Sequence, residues 1–223
     1  MTFSEVVLAP WMLGVCALLS LVTLGLAMSR RPWRLLAANH ALQHRLMAAG
    51  VAVMLLWQLR AQAVDWLSLH LMFTALLTLV FKAPLALSIN LTVNLAMVAI
   101  GRVAWPMLGV NLLISGVVPA MVMVVVWRLV DRYLPDNLPV FLFVCGFFGS
   151  AMATLASGLT MVVIVWLAAV DAQVLFMIRE YALFLPLLMP SEAFITGMLL
   201  SLLLVYYPHW VATFNRHRYI DTK

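Results

Sequence analysis

Hydrophobic residues run along this 223-residue chain in long stretches, and short polar stretches separate them. A helix needs roughly 20 apolar residues to cross a hydrocarbon core about 30 Å thick. We predict seven transmembrane helices, at residues 6–28, 46–59, 67–81, 84–100, 106–127, 138–170 and 181–207. The second and third are short, and Pro186 and Pro190 interrupt the seventh. The pattern therefore predicts an all-α, polytopic membrane helix bundle that forms a single transmembrane domain over residues 1–223.

Composition supports a membrane protein and excludes several other classes. Hydrophobic residues make up 66% of the chain and charged residues 9%, with a mean hydropathy of +1.10. A water-soluble domain of this length does not have that balance. The chain carries no glycine-rich phosphate loop and no Ser/His/Asp arrangement in a suitable context. We therefore expect a protein that is not an enzyme, and any pumping must draw its energy from an ion gradient or from a partner.

Lysine and arginine set the predicted orientation, because cytoplasmic loops of membrane proteins carry an excess of these residues. Seven spans place the termini on opposite sides of the membrane. With the N-terminus outside, ten basic residues are cytoplasmic: Arg30, Arg31, Arg34, Arg45, Lys82, Arg128, Arg132, Arg216, Arg218 and Lys223. Only Arg60, Arg102 and Arg179 remain outside. The net charge of +5 thus indicates an N-out, C-in protein, and not a nucleic-acid binder. A polytopic protein of this kind without a targeting peptide fits a bacterial inner membrane.

Groups that can hold a cation gather on the predicted outer side. They are the α-amine of Met1 and the side chains of Glu5, Asp65, His70, Asp171 and Glu180. His70 lies at the outer mouth of the third predicted helix, where an imidazole can meet an incoming cation. The sequence therefore indicates His70 as the first candidate ligand.

Glu192 is the acidic residue that we predict to lie deepest in the membrane. The 15 residues that follow it, through residue 207, span about 22 Å as a helix, which places the carboxylate within the outer leaflet. A carboxylate at that depth is costly and indicates a functional site. The alternative is that Glu192 lies at the N-terminus of a half-helix, where Ser191 or its own backbone caps it. Both interpretations remain open.

Amides and small residues within the predicted spans indicate helix packing. Asn90, Asn94 and Asn111 are expected to hydrogen-bond neighbouring helices. Gly149, Ala153 and Ser157 recur every four residues and permit the close approach of a second helix. That second helix belongs either to this chain or to another subunit.

His40 and His44 are four residues apart on the cytoplasmic side, a spacing that also suits metal or haem ligation. They follow an arginine cluster at the level of the lipid headgroups. We favour a solvated interfacial helix over a haem site.

Four segments together carry a family resemblance. Residues 1–11 read Met-Thr-Phe-Ser-Glu-Val-Val-Leu-Ala-Pro-Trp; residues 70–76 contain His-Leu-Met and then Ala-Leu; residues 109–111 read Gly-Val-Asn; and residues 192–196 read Glu-Ala-Phe-Ile-Thr. These segments resemble motifs of the CbiM/NikM-type proteins. The first resembles the family's opening Met-His-Ile-x-Glu-Gly with its later Leu-Pro-Pro-Trp-like stretch, and the second resembles its His-Leu-x-Gly-Ala segment. The third resembles its Gly-x-Asn element, and the fourth resembles its Gly-Glu-x-Ile-Thr motif. The matches extend across nearly the whole chain in the right order.

The resemblance implies a substrate-capture membrane component, or permease, of an energy-coupling-factor-type ABC transporter that takes up cobalt or nickel. In that family four nitrogens hold the metal in an approximately square-planar arrangement. They come from the N-terminal amine, the amide and imidazole of a histidine at position 2, and the histidine that corresponds to His70. Such flat, nitrogen-rich geometry suits Ni(II) or Co(II). The implied partners are a transmembrane coupling protein and cytoplasmic ABC ATPases. On this basis the predicted metal-site residues are Met1, Glu5, Asp65, His70 and Glu192.

Position 2 departs from the family pattern. Thr2 replaces the chelating histidine, and a small second residue also favours removal of Met1 during processing. Carboxylates in place of an imidazole shift the preference toward Zn(II), Mn(II) or Co(II). The alternative function is a structural or assembly subunit of a larger membrane complex that retains the fold and has lost transport.

Overall fold

Helices dominate the computed structural model, which describes residues 1–215. They are α1 (Pro10–Met28), α2 (Pro32–Ala37), α3 (His40–Leu56), α4 (Thr74–Ala99), α5 (Trp105–Tyr133), α6 (Leu138–Ala168) and α7 (Ala172–Tyr206). Within the described residues, α1, α4, α5, α6 and α7 are long and apolar enough to cross a membrane. The prediction of a helical, polytopic membrane protein is confirmed at this level. Arg216, Arg218 and Lys223, which we assigned to the cytoplasm, lie outside the described residues.

A small antiparallel sheet is present that the hydropathy pattern did not predict. Its strands are β1 (Thr2–Phe3), β2 (Ala61–Val64) and β3 (Leu67–Leu69), in the order β1-β3-β2. Thr2 pairs with Ser68, and Phe3 pairs with Leu67. The prediction that the third helix starts at residue 67 is therefore wrong, because residues 67–69 form the central strand and α4 starts at Thr74. Apolarity alone did not distinguish a buried strand from the first turn of a helix.

α4 folds back on itself at Lys82, whose backbone angles (φ 64°, ψ 159°) are not helical, so that Nδ2 of Asn90 in its second half lies 3.1 Å from Oγ1 of Thr74 in its first. Pro84 has no N–H to donate to the carbonyl of Val80, four residues earlier. That carbonyl instead accepts a hydrogen bond from the backbone N–H of Ala212, at 2.9 Å. The reversal coincides with the boundary that the sequence predicted between the third and fourth helices.

α7 runs without a break from Ala172, although the sequence predicted a later start and an interruption at two prolines. The carboxylate of Asp171 caps its N-terminus by accepting the N–H of Gln173 at 3.0 Å. Pro186 and Pro190 lie inside the helix. Membrane helices tolerate internal prolines when neighbouring groups hydrogen-bond the carbonyls that the prolines leave free. The predicted interruption is therefore wrong. At 35 residues, α7 is about 52 Å long, which exceeds the hydrocarbon core, so it must tilt or project.

Hydrogen bonds between distant segments define two ends of the bundle. At one end, which we call the N-terminal face, the N–H of Ala9 donates to the carbonyl of Ala168 at 2.8 Å. At the other end, the opposite face, Nε1 of Trp127 donates to the carbonyl of Thr213 at 3.2 Å. The sheet lies at the N-terminal face, and the reversal of α4 lies at the opposite face.

The small residues of α6 pack against helices of the same chain. A Cβ added at Gly158 would overlap the side chain of Leu185 on α7. One added at Gly149 would lie 3.0 Å from the side chain of Met123 on α5. Of the two alternatives for the predicted stripe, an internal partner is the one observed.

Candidate metal centre

The first three residues are inserted into the helix bundle. Met1 and Thr2 are each 3% exposed, and Phe3 is completely buried. Asn111 on α5 binds this segment through its side-chain amide: Oδ1 accepts the N–H of Phe3 at 2.7 Å, and Nδ2 donates to the carbonyl of Phe3 at 2.9 Å. An asparagine can do both because its amide carries an acceptor and a donor. The N-terminus is therefore held between β3 on one side and α5 on the other.

His70 follows β3 and faces the terminal amine. The α-amine of Met1 lies 3.1 Å from Nε2 of His70, and the hydroxyl of Thr2 lies 3.1 Å from the same nitrogen. Nδ1 lies 3.1 Å from the carbonyl oxygen of Leu71, which can only accept, so Nδ1 carries the proton. Nε2 consequently presents its lone pair to the amine and the hydroxyl. The ring of Trp57, with its centroid 4.2 Å from that of the imidazole, packs against the side of His70.

Burial keeps both nitrogens uncharged at neutral pH. It lowers the pKa of the Met1 α-amine from 8.0 to about 5, against a smaller opposing attraction from the carboxylate of Glu192. Burial also lowers the pKa of His70 well below 6.5, and repulsion from the terminal amine lowers it further. A transition metal binds deprotonated donors, so this pair needs to lose no proton to coordinate one at pH 7.

Glu192 joins α7 to the start of α4. Its carboxylate accepts two backbone N–H groups, from Met72 at 2.9 Å and from Phe73 at 2.7 Å, and the residue is only 3% exposed. Phe73 is the N-cap residue of α4 and Met72 precedes it, so no helical carbonyl is available to accept either N–H group. Glu192 therefore caps a different helix from its own. The interpretation in which Glu192 begins a half-helix capped by Ser191 is wrong, since α7 is continuous through this region.

A pocket of about 330 Å³ opens beside these groups, and Met1, His70 and Glu192 all line it. Leu59 and Ala61, next to the sheet, line it as well. The terminal amine, the imidazole and the buried carboxylate therefore share one cavity at the N-terminal face.

Glu5 and Asp65 lie apart from this pocket lining. Both side chains are exposed in the turns that flank β1 and β3. Among residues 1–215, no group of three or more His, Cys, Asp or Glu side chains is arranged to hold a metal ion. The terminal amine and the hydroxyl of Thr2 lie closest to the imidazole, each 3.1 Å from Nε2 of His70, and the carboxylate of Glu192 lines the same pocket.

Two contacts of this site were not predicted from the sequence. The Thr2 hydroxyl approaches Nε2 of His70, although the loss of a histidine at position 2 argued against any ligand there. The hydroxyl of Tyr181 on α7 donates to the sulfur of Met1 at 2.7 Å and anchors the terminal side chain. No spacing rule connects residues 1 and 181, so only the folded chain reveals this contact.

Below the pocket, the asparagines form a buried polar network, as expected. Nδ2 of Asn90 donates to Oγ1 of Thr74 at 3.1 Å and to the carbonyl of Ser115 at 3.0 Å. Nδ2 of Asn94 donates to Oδ1 of Asn90 at 2.8 Å. These bonds connect the two halves of α4 to α5. The structural role predicted for Asn90 and Asn94 is confirmed, whereas the side chain of Asn111 bonds to strand β1 and not to a neighbouring helix.

His40 and His44 lie far from this site, exposed in the first turns of α3. Neither lines the pocket, and their interfacial position stays a prediction.

Most of the chain resembles a known protein family. A family model, described as the cobalt uptake substrate-specific transmembrane region, matches residues 3–210. No curated protein matches the chain.

Proposed function

The chain belongs to the cobalt-uptake family of substrate-specific transmembrane components, and from this premise we propose that it captures a divalent transition-metal cation for an energy-coupling-factor-type transporter. One observation supports the proposal above all others. The uncharged α-amine of Met1 and the lone pair of His70 Nε2 face each other at 3.1 Å, inside a pocket at one face of the bundle.

We propose that Met1 is retained, since its side chain is buried against Tyr181, and that Met1 and His70 are metal ligands. The separation of their nitrogens is close to the edge of a square or tetrahedron built from metal–nitrogen bonds of about 2.1 Å. The hydroxyl of Thr2 is a further donor at the same distance from Nε2. Glu192 lines the same pocket while its side chain holds the backbone after His70. Glu5 and Asp65 stay predicted ligands, suited to a cation that approaches from solvent.

Cobalt is the substrate that family membership favours, and nickel is chemically close. Two nitrogens with a hydroxyl make a less nitrogen-rich site than one with a second imidazole. Zn(II) and Mn(II) are therefore the substrates to test beside Co(II) and Ni(II).

We further propose seven membrane crossings with the N-terminal face outward, within a single transmembrane domain over residues 1–223. The five long helices provide a base of five crossings. The reversal at Lys82 divides α4 into a short first half, residues 74–81, and a longer second half. We propose these halves as two crossings, because β1 and β3 fill the bundle on the N-terminal side of the short half, and α3, with 17 residues, adds the seventh. Among residues 1–215, the N-terminal face carries Arg60 and Arg102, whereas Arg30, Lys82 and Arg128 lie together at the opposite face, as the positive-inside rule expects. A bacterial inner membrane is the location that we propose.

The expected partners are a transmembrane coupling protein and cytoplasmic ABC ATPases. Components of this family work with such partners, and the chain has no nucleotide-binding motif to drive transport alone.

Metal analysis of purified protein tests the proposal. The chain is purified in mild detergent without chelator, loaded with Co(II), washed and measured by elemental analysis. We expect stoichiometric metal in the parent, loss in His70→Ala, and full retention in His44→Ala, which removes an exposed histidine. Metal content that is unchanged in His70→Ala would overturn the assignment of the site.

Thr2 favours one alternative, a structural or assembly subunit that retains the fold, because the family histidine is missing at that position. Affinity purification separates the two functions. Recovery of an ATPase pair supports transport, and recovery of an unrelated membrane complex, with no bound metal, supports the assembly role.

A further inference from the structure

Three basic residues surround a pair of adjoining pockets at the opposite face. The first pocket has a volume of about 240 Å³ and the second about 250 Å³, and both are lined by Arg30, in the turn after α1, and by Arg128 on α5. Lys82, at the reversal of α4, lines the first. Neither lining contains an aspartate or glutamate from the described part of the chain.

These three cations have no partner within residues 1–215. All three side chains are exposed at the rim, and none makes a hydrogen bond or ion pair with another described residue. Like charges held around one concavity repel each other and raise the local concentration of anions. The backbone of Lys82 (φ 64°, ψ 159°) also occupies a region that is nearly exclusive to glycine. Strain of this kind is concentrated at binding sites, and here it directs a lysine to the rim.

An apolar groove continues from the basic rim toward the centre of the bundle. Leu26 on α1 and Met121 on α5 form its walls, and Leu87 on α4 lies at its base. Leu26 is 66% exposed and Met121 57% exposed, so the groove opens on the surface that faces lipid. From Arg128 to Met121 the groove follows seven helical residues, or about 10 Å.

We propose that this site binds one anionic phospholipid. The phosphate lies among Arg30, Lys82 and Arg128, and an acyl chain fills the groove between α1 and α5. Arginine suits this role because its planar guanidinium donates two parallel hydrogen bonds to phosphate oxygens. Basic pockets between membrane helices bind lipid headgroups in this manner. The apolar extension distinguishes a lipid from a free phosphate, which would leave the groove unfilled.

Native mass spectrometry of the full chain in detergent tests the site. Phosphatidylglycerol and phosphatidylcholine with identical acyl chains are titrated separately, and lipid-bound fractions are compared. We expect phosphatidylglycerol to bind the parent more tightly. Loss of one rim charge in Arg128→Gln should weaken it about fivefold, and loss of two in Arg30→Gln/Arg128→Gln about 25-fold. Arg132→Gln is the matched control, because Arg132 lies on the same helix over the ring of Tyr133 and does not line either pocket.

Several results would overturn the proposal. One is equal binding of the two lipids by the parent, and another is equal loss in Arg132→Gln. The proposal would also be wrong if the double variant bound phosphatidylglycerol as tightly as the parent. If inorganic phosphate, added at the same total anionic charge as the phosphatidylglycerol, displaces the lipid, the site binds a free anion and not a lipid. If the thermal midpoint shows that the double variant is unfolded, Lys82→Gln is tested in its place, and we expect it to bind phosphatidylglycerol about fivefold more weakly than the parent.

Discussion

Replacement of Glu192 by glutamine should lower the free energy of unfolding of the protein. Both oxygens of Glu192 accept backbone N–H groups, at 2.9 Å from Met72 and 2.7 Å from Phe73. A glutamine keeps one oxygen and turns an NH₂ group toward the second N–H, so two donors face each other. The residue is 3% exposed, and water therefore does not compensate the loss.

The expected magnitude follows from these contacts. A hydrogen bond to a charged group contributes about 1.5–3 kcal/mol, and a buried N–H left without an acceptor costs about 1–3 kcal/mol. Part of this is offset because the neutral amide is cheaper to bury than a carboxylate. We expect a net loss of about 2–4 kcal/mol, which corresponds to a fall in Tm of about 4–16 °C for a chain of this size.

Thermal unfolding in detergent, followed by tryptophan fluorescence, measures this effect. Glu180→Gln is the matched control, since Glu180 is an exposed carboxylate on the same helix. We expect its Tm to equal that of the parent. If Glu192→Gln also unfolds at the parental temperature, the inference that Glu192 caps α4 is incorrect. Because Glu192 holds the segment that follows His70, the variant should also bind Co(II) more weakly.

Three further predictions concern the buried amine, position 2 and the α6–α7 contact. The free energy of unfolding should rise with pH from 5 to 8, because between these values the amine of Met1 binds a proton in the unfolded chain (pKa 8.0) but not in the folded one (pKa about 5). As the pH falls to 5, up to about 4 kcal/mol of this free energy is lost. A Tm that stays constant from pH 5 to 8 would contradict this prediction. Thr2→His should lower the Kd for Ni(II), measured by calorimetry, because it supplies the family's second imidazole beside Nε2 of His70. An unchanged Kd would show that the side chain at position 2 lies outside the metal site. Gly158→Ala should lower the free energy of unfolding by about 1–3 kcal/mol, because the added Cβ overlaps Leu185. Gly14→Ala is the control and should leave the Tm unchanged, because the space around its added Cβ is open. Equal changes in Tm for the two variants would show that tight packing at Gly158 is not the cause.

Much of the fold follows from hydropathy. Long apolar stretches predict where helices lie, because a backbone inside a bilayer must satisfy its own hydrogen bonds. Pro84 and Lys82 likewise indicate where α4 reverses. Hydropathy fails where apolar residues are buried by protein instead of lipid, as in β3, and where a proline lies inside a long helix, as at Pro186.

Individual candidates for the metal centre also follow from the sequence, but their arrangement does not. His70 and Glu192 are recognisable as costly polar groups in an apolar chain. Their partners are not, because the contacts connect residues far apart along the chain, such as Met1 with Tyr181 and Phe3 with Asn111. Such contacts depend on packing and not on local periodicity.

What the sequence by itself determined is therefore the class of protein, the approximate positions of its helices and the polar residues that burial would make expensive. Only the tertiary structure decided that the N-terminus enters the bundle as a strand, so that desolvation leaves its amine uncharged beside His70. It also decided that Glu192 caps α4 while Glu5 and Asp65 remain in solvent. The physical reason is that desolvation and hydrogen-bond geometry depend on which segments surround a group, and that is a property of the folded chain.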